Sequence, residues 1–253
     1  MLLDPSLLHI GFVNPPGGTH TSRTMMLAEL RLLFAACPAG ATLADYSAGV
    51  LEDNALRKET QSNRHRSLRS LRELYALDTN VTLFRVLREL WDADTSAQPL
   101  LALLCAVARD PLLRASAPAV LESAPATPIS AAVLATAVAR SFPDYSPAVL
   151  AKIGRNAASS WTQSGHLSGR TNKVRAAAQN ATTATAYALF LGYLCGARGE
   201  SLFETLWCRL LDAPAHLLHS QAALGSRQGW LEYRHSGMVT DITFRHLSRE
   251  EDR

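Results

Sequence analysis

The sequence predicts a mainly α-helical protein with two helical domains, each carrying a helix-turn-helix or winged-helix-like unit, and with a C-terminal β-hairpin. Three observations lead to this fold class. Apolar residues make up 47% of the 253 residues, and alanine and leucine, both strong helix formers, are the most frequent among them. Apolar residues recur at helical spacing along most of the chain. The alternation that is typical of strands is scarce before the C-terminus.

We divide the chain into three parts. Residues 1–21 contain prolines and glycines and are expected to form a loosely ordered leader. Residues 22–95 are predicted to form an N-terminal helical domain, and residues 96–253 a C-terminal winged-helix-like domain that ends in the hairpin. The polar stretch DADTSAQP (92–99) closes with a proline and is the expected linker between the two domains.

The N-terminal domain shows helical patterns at 22–38, 42–54, 61–78 and 81–91, with Thr42 as a capping residue. The third helix is the informative one. Its apolar stripe consists of Leu68, Leu71, Leu74 and Tyr75, and the opposite arc carries His65, Arg66, Arg69, Arg72 and Glu73. A third short helix with an arginine-rich outer face is the plan of a helix-turn-helix unit.

The C-terminal domain shows helical patterns at 98–109, 110–123, 129–141, 146–165, 180–197, 201–212 and 215–226. Thr127 and Ser130 both remain candidates to cap the helix at 129–141. The next helix begins with Ser146 and Pro147 and ends at Gly165, which suits a left-handed terminal position. Its buried stripe is Val149, Ile153, Ala157 and Trp161, and a separate polar stripe is Lys152, Arg155, Ser159 and Thr162.

Two short β-ribbons are predicted. Leu167 and Val174 flank the polar tip SGRTN (168–172), which indicates a ribbon that docks on the preceding helix and points its tip outward, as in a winged helix. At 229–244 the triplet HSG separates two alternating runs, which is typical of a β-hairpin.

Positive charge is concentrated in two segments, although the net charge is only +3. Residues 145–199 contain no Asp or Glu, and residues 57–72 carry six Lys or Arg against Glu59 alone. Cations without local acids can release counterions on binding phosphates, so the pattern favours double-stranded DNA as the partner. The predicted DNA-binding residues are Arg64, Arg66, Arg69, Lys152, Arg155, Ser159, Thr162, Gln163, Arg170, Asn172, Lys173 and Arg175.

The sequence predicts no enzyme, no cofactor and no metal site. It lacks the nucleophile, phosphate-loop and zinc-protease motifs. The four cysteines have no metal-ligand spacing and are expected to be reduced, buried thiols in a cytoplasmic protein. His216 and His219 have no partner that completes a metal set. We expect His65 and His166 to be exposed and neutral, and Trp161 to lie in the core.

No membrane segment is predicted. The most apolar stretches, at 100–108 and 186–197, are far shorter than the roughly 20 residues that cross a bilayer, so we interpret them as core helices.

Several stretches resemble the BrxA family of BREX bacteriophage-defence systems. They are RKETQSNRHRSLRSLRELYALD with LFRVLRELW, then KIGRNAASSWTQSGHLSGRTNKVR with AYALFLGYLCGARG, and the closing GWLEYRHSGMVTDITF. Together they cover roughly residues 22–245. The resemblance implies a small, mostly helical protein with winged-helix-like halves that binds double-stranded DNA and serves the defence operon, with other components of that system as further partners.

Two alternatives stay open at this stage. A helical protein–protein adaptor of the defence complex would need no DNA contact, and its basic surface would dock an acidic partner. An RNA-binding, antitermination-like factor would use the same cations on a different polyanion.

Overall fold

The computed structural model describes residues 3–237 and 239–249, in which the chain is mainly helical. The α-helices are α1 (Leu27–Ala36), α2 (Leu43–Leu51), α3 (Gln61–Tyr75), α4 (Thr82–Trp91), α5 (Gln98–Arg109), α6 (Pro111–Leu121), α7 (Ala131–Ser141), α8 (Pro147–Gln163), α9 (Thr182–Leu194), α10 (Leu206–Arg209) and α11 (Ala215–Arg227). Short 3₁₀ segments occupy Pro5–Leu7, Thr19–Thr21, Thr95–Ala97 and Gly199–Glu204. The predicted helical class is confirmed.

Two antiparallel hairpins are present in the described residues. Strands β1 (Leu167–Ser168) and β2 (Val174–Arg175) form the first, and β3 (Glu232–Ser236) and β4 (Val239–Thr243) the second. The second hairpin turns at Gly237, which is the last residue of the HSG triplet. The predicted C-terminal hairpin is therefore also confirmed.

Helix starts follow the capping chemistry of the sequence. The Thr42 hydroxyl accepts from the Asp45 amide while the Asp45 carboxylate accepts from the Thr42 amide, which is a capping box at α2. Ser130, one of the two candidates, caps α7. Ser146 caps α8, whose first residue is Pro147. These local signals set where the basic helix α8 begins.

Two apolar helices form the centre of the core. Residues 100–108 of α5 and 183–192 of α9 are buried without exception. The first is the stretch that we interpreted as a core helix, whereas of the second predicted stretch, 186–197, only residues 186–192 are buried. The Tyr187 hydroxyl of α9 donates to the carbonyl oxygen of Leu83 on α4 at 2.8 Å. The main cluster of buried side chains extends from Leu3 to Leu247 and so includes residues on both sides of the boundary predicted at residue 95.

The predicted leader is part of this core. Leu7, Ile10 and Phe12 are buried. The Leu83 amide donates to the Ile10 carbonyl and the Val13 amide to that of Ala108. The expectation of loose order is therefore wrong for residues 3–21, because their apolar side chains and backbone groups find partners far along the chain.

The predicted linker at 92–99 also differs from expectation. It forms a 3₁₀ turn, capped by Asp94, that leads directly into α5. Ala97 is fully buried and Gln98 nearly so. The Gln98 Nε2 donates to the Trp91 carbonyl, and the Gln98 Oε1 accepts from Arg31. The segment is fixed rather than a spacer because both of its ends belong to packed helices.

A third extended segment lies beside the first hairpin. The Ala126 amide donates to the Arg175 carbonyl at 2.8 Å, the Arg175 amide to Thr127 at 2.8 Å, and the Ile129 amide to Lys173 at 2.9 Å. Residues 126–129 thus pair antiparallel with β2 on the side opposite to β1. The order along the chain is α6, this segment, α7, α8, β1 and β2.

The side chains that we assigned to the core are mostly where expected. Trp161 is fully buried, and its Nε1 donates to the Ser116 hydroxyl at 2.9 Å. All four cysteines are unpaired, but Cys195 is exposed, which corrects the expectation that every thiol is buried. Within the described residues, no helix has the length and apolar character that a bilayer crossing would need.

Candidate nucleic-acid interface

A cleft of about 900 Å³ opens between α3, α8 and the loop that precedes α1. Its wall carries the cations Arg23, Arg66, Arg69, Arg109 and Lys152. Glu73 is the one carboxylate among the described residues that line it, and this side chain accepts from the Thr19 hydroxyl at 2.9 Å. The fold therefore joins the two basic segments that are far apart in the sequence, and we call this surface the basic cleft.

The outer face of α3 supplies one wall of the basic cleft. Leu71 and Leu74 are fully buried, which turns the opposite arc of the helix to solvent. Arg66, Arg69 and Arg72 are exposed on that arc. Within the described residues, their guanidinium groups form no hydrogen bond or ion pair. This is the arrangement that the helical periodicity predicts, and it leaves three guanidinium groups available to an external anion.

The outer face of α8 continues from the cleft toward the first hairpin. Lys152 and Arg155 are exposed, and Ser159 and Thr162 are half-buried on the same face. From Lys152 to Thr162 the helix rises about 15 Å. The Thr162 hydroxyl accepts from Lys173 Nζ at 2.8 Å, so the end of the polar stripe touches the ribbon.

The turn of the first hairpin is exposed and basic. Leu167 is buried beneath it, while Arg170 and Asn172 are exposed at its tip. Gly169 has a φ of +95°, and a Cβ there would lie 2.3 Å from the Asn172 carbonyl oxygen, so only glycine fits. Lys173 is half-buried and also donates to the Gly169 carbonyl at 3.1 Å. Lys173 therefore braces the turn, and Arg170 is its outward-pointing cation.

Two of the predicted DNA-binding residues are engaged inside the fold. Arg64 Nη1 donates to the Leu51 carbonyl at 2.9 Å, which holds the end of α2 against α3. Gln163 Oε1 accepts from the Leu27 amide at 3.0 Å and so satisfies the first turn of α1, which has no side-chain cap of its own. Both residues act on helix ends, so the atoms named here are engaged within the fold.

The predicted DNA contact of Arg175 is wrong, because its guanidinium group is buried in the fold. Arg175 is 7% exposed and forms a bidentate ion pair with Asp212, with contacts of 2.6 and 2.8 Å. Its Nε donates to the Val120 carbonyl at 2.9 Å. The guanidinium thus ties β2 to α6 and to the segment before α11, because burial of an arginine requires acceptors on every side.

His166 lies beside this ion pair and is fully buried, which corrects the expectation that it is exposed. Its Nε2 donates to the Leu210 carbonyl at 3.1 Å, and its ring packs edge-on against Trp161 at 5.1 Å. Burial lowers the pKa of His166 to about 4, and the positive charge of Arg175 acts in the same direction. The ring is therefore neutral near pH 7.

This burial predicts an acid-sensitive fold. An unfolded chain takes up a proton on this imidazole near pH 6.5, whereas the folded chain does so only near pH 4. Between these values the unfolded state binds more protons, so the stability contributed by His166 falls as the pH is lowered. Between pH 7.5 and pH 5 we expect the free energy of unfolding of the wild type to fall by about 2 kcal/mol more than that of His166→Gln. Urea unfolding at both pH values measures this difference, and parallel losses in the two proteins would contradict it.

A buried polar chain fixes the loop that forms the floor of the basic cleft. His20 Nδ1 lies 2.8 Å from Asp110 Oδ2, and its Nε2 lies 2.8 Å from the Ser160 hydroxyl. All three side chains are at most 1% exposed. The sequence does not reveal this set, because its members lie far apart, at 20, 110 and 160, and show no motif.

The Ser–His–Asp order resembles that of a hydrolase triad, but the local contacts give it a structural role. The Ser160 oxygen accepts from the Met25 amide at 2.8 Å and contacts the Asn156 carbonyl at 3.0 Å. It is fully buried, so no substrate can reach it. Burial alone would raise the pKa of Asp110, but His20 and backbone amides lower it, so the carboxyl is ionised. The chain anchors the cleft loop to α6 and α8.

Neither the family models nor the curated proteins contain a match to this sequence. The geometry of the basic cleft and of α8 is therefore what supports a function.

Proposed function

We propose that the protein binds double-stranded DNA without catalysing a reaction on it, through the basic cleft, the exposed stripe of α8 and the tip of the first hairpin. One observation carries the proposal. Arg66 and Arg69 of α3 line the same cleft as Lys152 of α8, although the sequence separates them widely. Converging cations with a single carboxylate beside them suit a polyanion, since each phosphate contact releases counterions.

The arrangement around α8 supports a winged-helix mode of contact. The order of α6, the extended segment 126–129, α7, α8, β1 and β2 matches the helix–strand–helix–helix–strand–strand order of a winged helix. In such units the last helix enters the major groove and the turn between the final strands meets the backbone. Here α8 would be the groove helix, and the turn with Arg170 and Asn172 would be the wing.

The residues divide into two roles. Arg66, Arg69, Lys152, Arg155 and Arg170 are the phosphate ligands, because each is exposed or lines the cleft as a cation. Ser159 and Thr162 lie farther along the same face of α8 and are short hydrogen-bonding side chains that suit a groove. Lys173 acts mainly by bracing the wing, because its ammonium group is held by Thr162 and Gly169.

The resemblance to BrxA proteins supplies the biological setting of the proposal. We place the DNA contact in a BREX-type bacteriophage defence, where the protein would act on DNA together with other components. In a host that carries such a system, exchange of the gene for one encoding Lys152→Glu/Arg155→Glu would abolish protection while the protein level stays unchanged.

Fluorescence anisotropy tests the binding proposal. A labelled 20-bp duplex DNA is titrated with the protein at low salt, and unlabelled duplex DNA, duplex RNA and single-stranded RNA of equal length compete. We expect the DNA duplex to compete at least about tenfold better than either RNA, because α8 fits the wide major groove of B-DNA and not the narrow one of A-form RNA. Stronger competition by RNA would favour the antitermination-like alternative, and failure of all three to bind would favour an adaptor.

A further inference from the structure

A second cluster of interacting side chains lies away from the basic cleft, where the C-terminal hairpin meets α11. Glu200 belongs to the 3₁₀ segment after α9, His219 to α11 and His235 to β3. One potential ligand atom from each of the three lies within 4.8 Å of the others. The sequence offered no partner to complete a metal set with His219, and the fold supplies two.

From this geometry we propose that Glu200, His219 and His235 bind one divalent transition-metal ion, with Zn²⁺ the best match. Two imidazoles and one carboxylate form a donor set that zinc uses with an open fourth position for water. Ligand atoms around a tetrahedral zinc lie about 3.3 Å apart, given bonds of about 2.0–2.1 Å. His219 Nε2 and Glu200 Oε1 are already 3.0 Å apart. The site is independent of the proposed DNA binding.

Neighbouring hydroxyl groups orient the ligands. The Thr240 hydroxyl donates to Glu200 Oε2 at 2.5 Å and must therefore accept from His235 Nδ1–H at 2.9 Å. In this tautomer the lone pair of His235 is on Nε2. The Thr240 hydroxyl thus orients two of the three proposed ligands, Glu200 and His235.

The surroundings of His219 suit a ligand as well. Its Nδ1 lies 2.9 Å from the Tyr233 hydroxyl, and its ring stacks on Phe203 with a centroid distance of 4.0 Å. A metal-binding imidazole usually donates its second N–H to such an oxygen, which fixes the ring orientation. With Nε2 turned toward Glu200 and Nδ1 beside the Tyr233 hydroxyl, the ring can bind a metal through Nε2 while Tyr233 holds its orientation.

An ion here would connect three elements that meet at the protein surface: the 3₁₀ segment after α9, α11 and the C-terminal hairpin. The hairpin contacts the 3₁₀ segment through Thr240 and Glu200, and it contacts α11 through Tyr233 and His219. A metal bond to each of Glu200, His219 and His235 would lock the hairpin onto the helical body. Zinc is therefore expected to stabilise the folded state by RT ln(1 + c/Kd), where c is the concentration of free Zn²⁺.

Isothermal titration of the metal-free full chain with Zn²⁺ tests the site. We expect one Zn²⁺ per chain, and a rise in Tm of about 5 °C or more when free Zn²⁺ is a hundredfold above Kd. His235→Ala should weaken binding by about 100-fold and remove the Tm rise. Tyr233→Phe, which removes an orienting partner but no ligand, should weaken it by about tenfold.

His216→Ala is the matched control, because this exposed histidine lies one turn before His219 on α11 and is not part of the set. We expect its affinity for Zn²⁺ to equal that of the wild type. Equal binding by the wild type and His235→Ala, or an equal loss in His216→Ala, would overturn the proposal and indicate adventitious surface histidines. Urea midpoints in chelator show whether each variant folds without metal, so a folding defect is distinguishable from a lost ligand.

Discussion

Lys152→Glu/Arg155→Glu is expected to lower the affinity for duplex DNA by about 50- to 100-fold at 0.1 M salt. Each phosphate contact contributes a slope of about −0.9 to the plot of log affinity against log salt, which corresponds to nearly tenfold per contact at this concentration. The double variant should therefore also reduce the magnitude of the slope by about 2. Anisotropy titrations with one duplex at four salt concentrations measure both quantities.

A control for net charge accompanies this variant. Arg140 and Arg234 are exposed but do not line the basic cleft, and their double reversal changes the net charge by the same amount. We expect it to lower the affinity only slightly, through weaker long-range attraction. Because Lys152 and Arg155 are exposed, the unfolding free energy of their variant should stay within about 0.5 kcal/mol of the wild type. Equal losses of affinity in the two double variants would show that α8 is not part of the DNA interface.

Asp110→Ala is expected to lower the free energy of unfolding by about 3–5 kcal/mol. The carboxylate is 1% exposed and accepts four hydrogen bonds. Two come from the first turn of α6, at the amides of Leu112 and Leu113, and two from the backbone and ring of His20. Alanine would remove the helix cap and leave the buried His20 without its partner, which is costlier than losing an exposed ion pair.

Asp110→Asn separates the contribution of the α6 helix cap from that of the charge that faces His20. Asparagine keeps an oxygen that can cap α6 but loses the charge that faces His20, so we expect a smaller loss than for alanine. Both losses are measured by urea unfolding followed by far-ultraviolet circular dichroism. A loss below about 1 kcal/mol for Asp110→Ala would contradict the role that we assign to the buried polar chain.

Local signals in the sequence were sufficient for most helices and for one face of each basic helix. The helix predicted at 201–212 is instead a 3₁₀ segment, Gly199–Glu204, followed by the short α10. Leu68, Leu71 and Leu74 recur at a spacing that only a helix places on one side, and this spacing alone turned Arg66 and Arg69 outward. The same holds for Ile153 and Trp161 of α8, whose burial exposes Lys152 and Arg155. Periodicity therefore predicted the faces that carry the candidate site.

Periodicity did not predict which cations are engaged by the fold itself. Arg64 and Arg66 look alike in the sequence, yet Arg64 holds the Leu51 carbonyl and Arg66 is exposed. Arg175 has no acid near it in the sequence, and its partner, Asp212, comes from a distant segment. The absence of a local acid is thus weak evidence that a cation is available, because ion pairs form between residues that only the tertiary structure brings together.

The same limit applies to the leader. Residues 3–21 have no periodic pattern, and their prolines and glycines are typical of loops. Their order comes from contacts such as Ile10 with Leu83 and His20 with Asp110, which no local rule contains. The floor of the basic cleft was therefore the part of the site that the sequence could not supply.

The salt dependence of wild-type binding to duplex DNA tests the central claim most directly. If Arg66, Arg69, Lys152, Arg155 and Arg170 each contact a phosphate, log affinity should fall against log salt with a slope of about −4 to −5. Arg66→Glu/Arg69→Glu should reduce its magnitude by about 2, as should the α8 variant, because both helices would line one interface. A wild-type slope near zero, or a slope that neither variant changes, would contradict a DNA interface at the basic cleft.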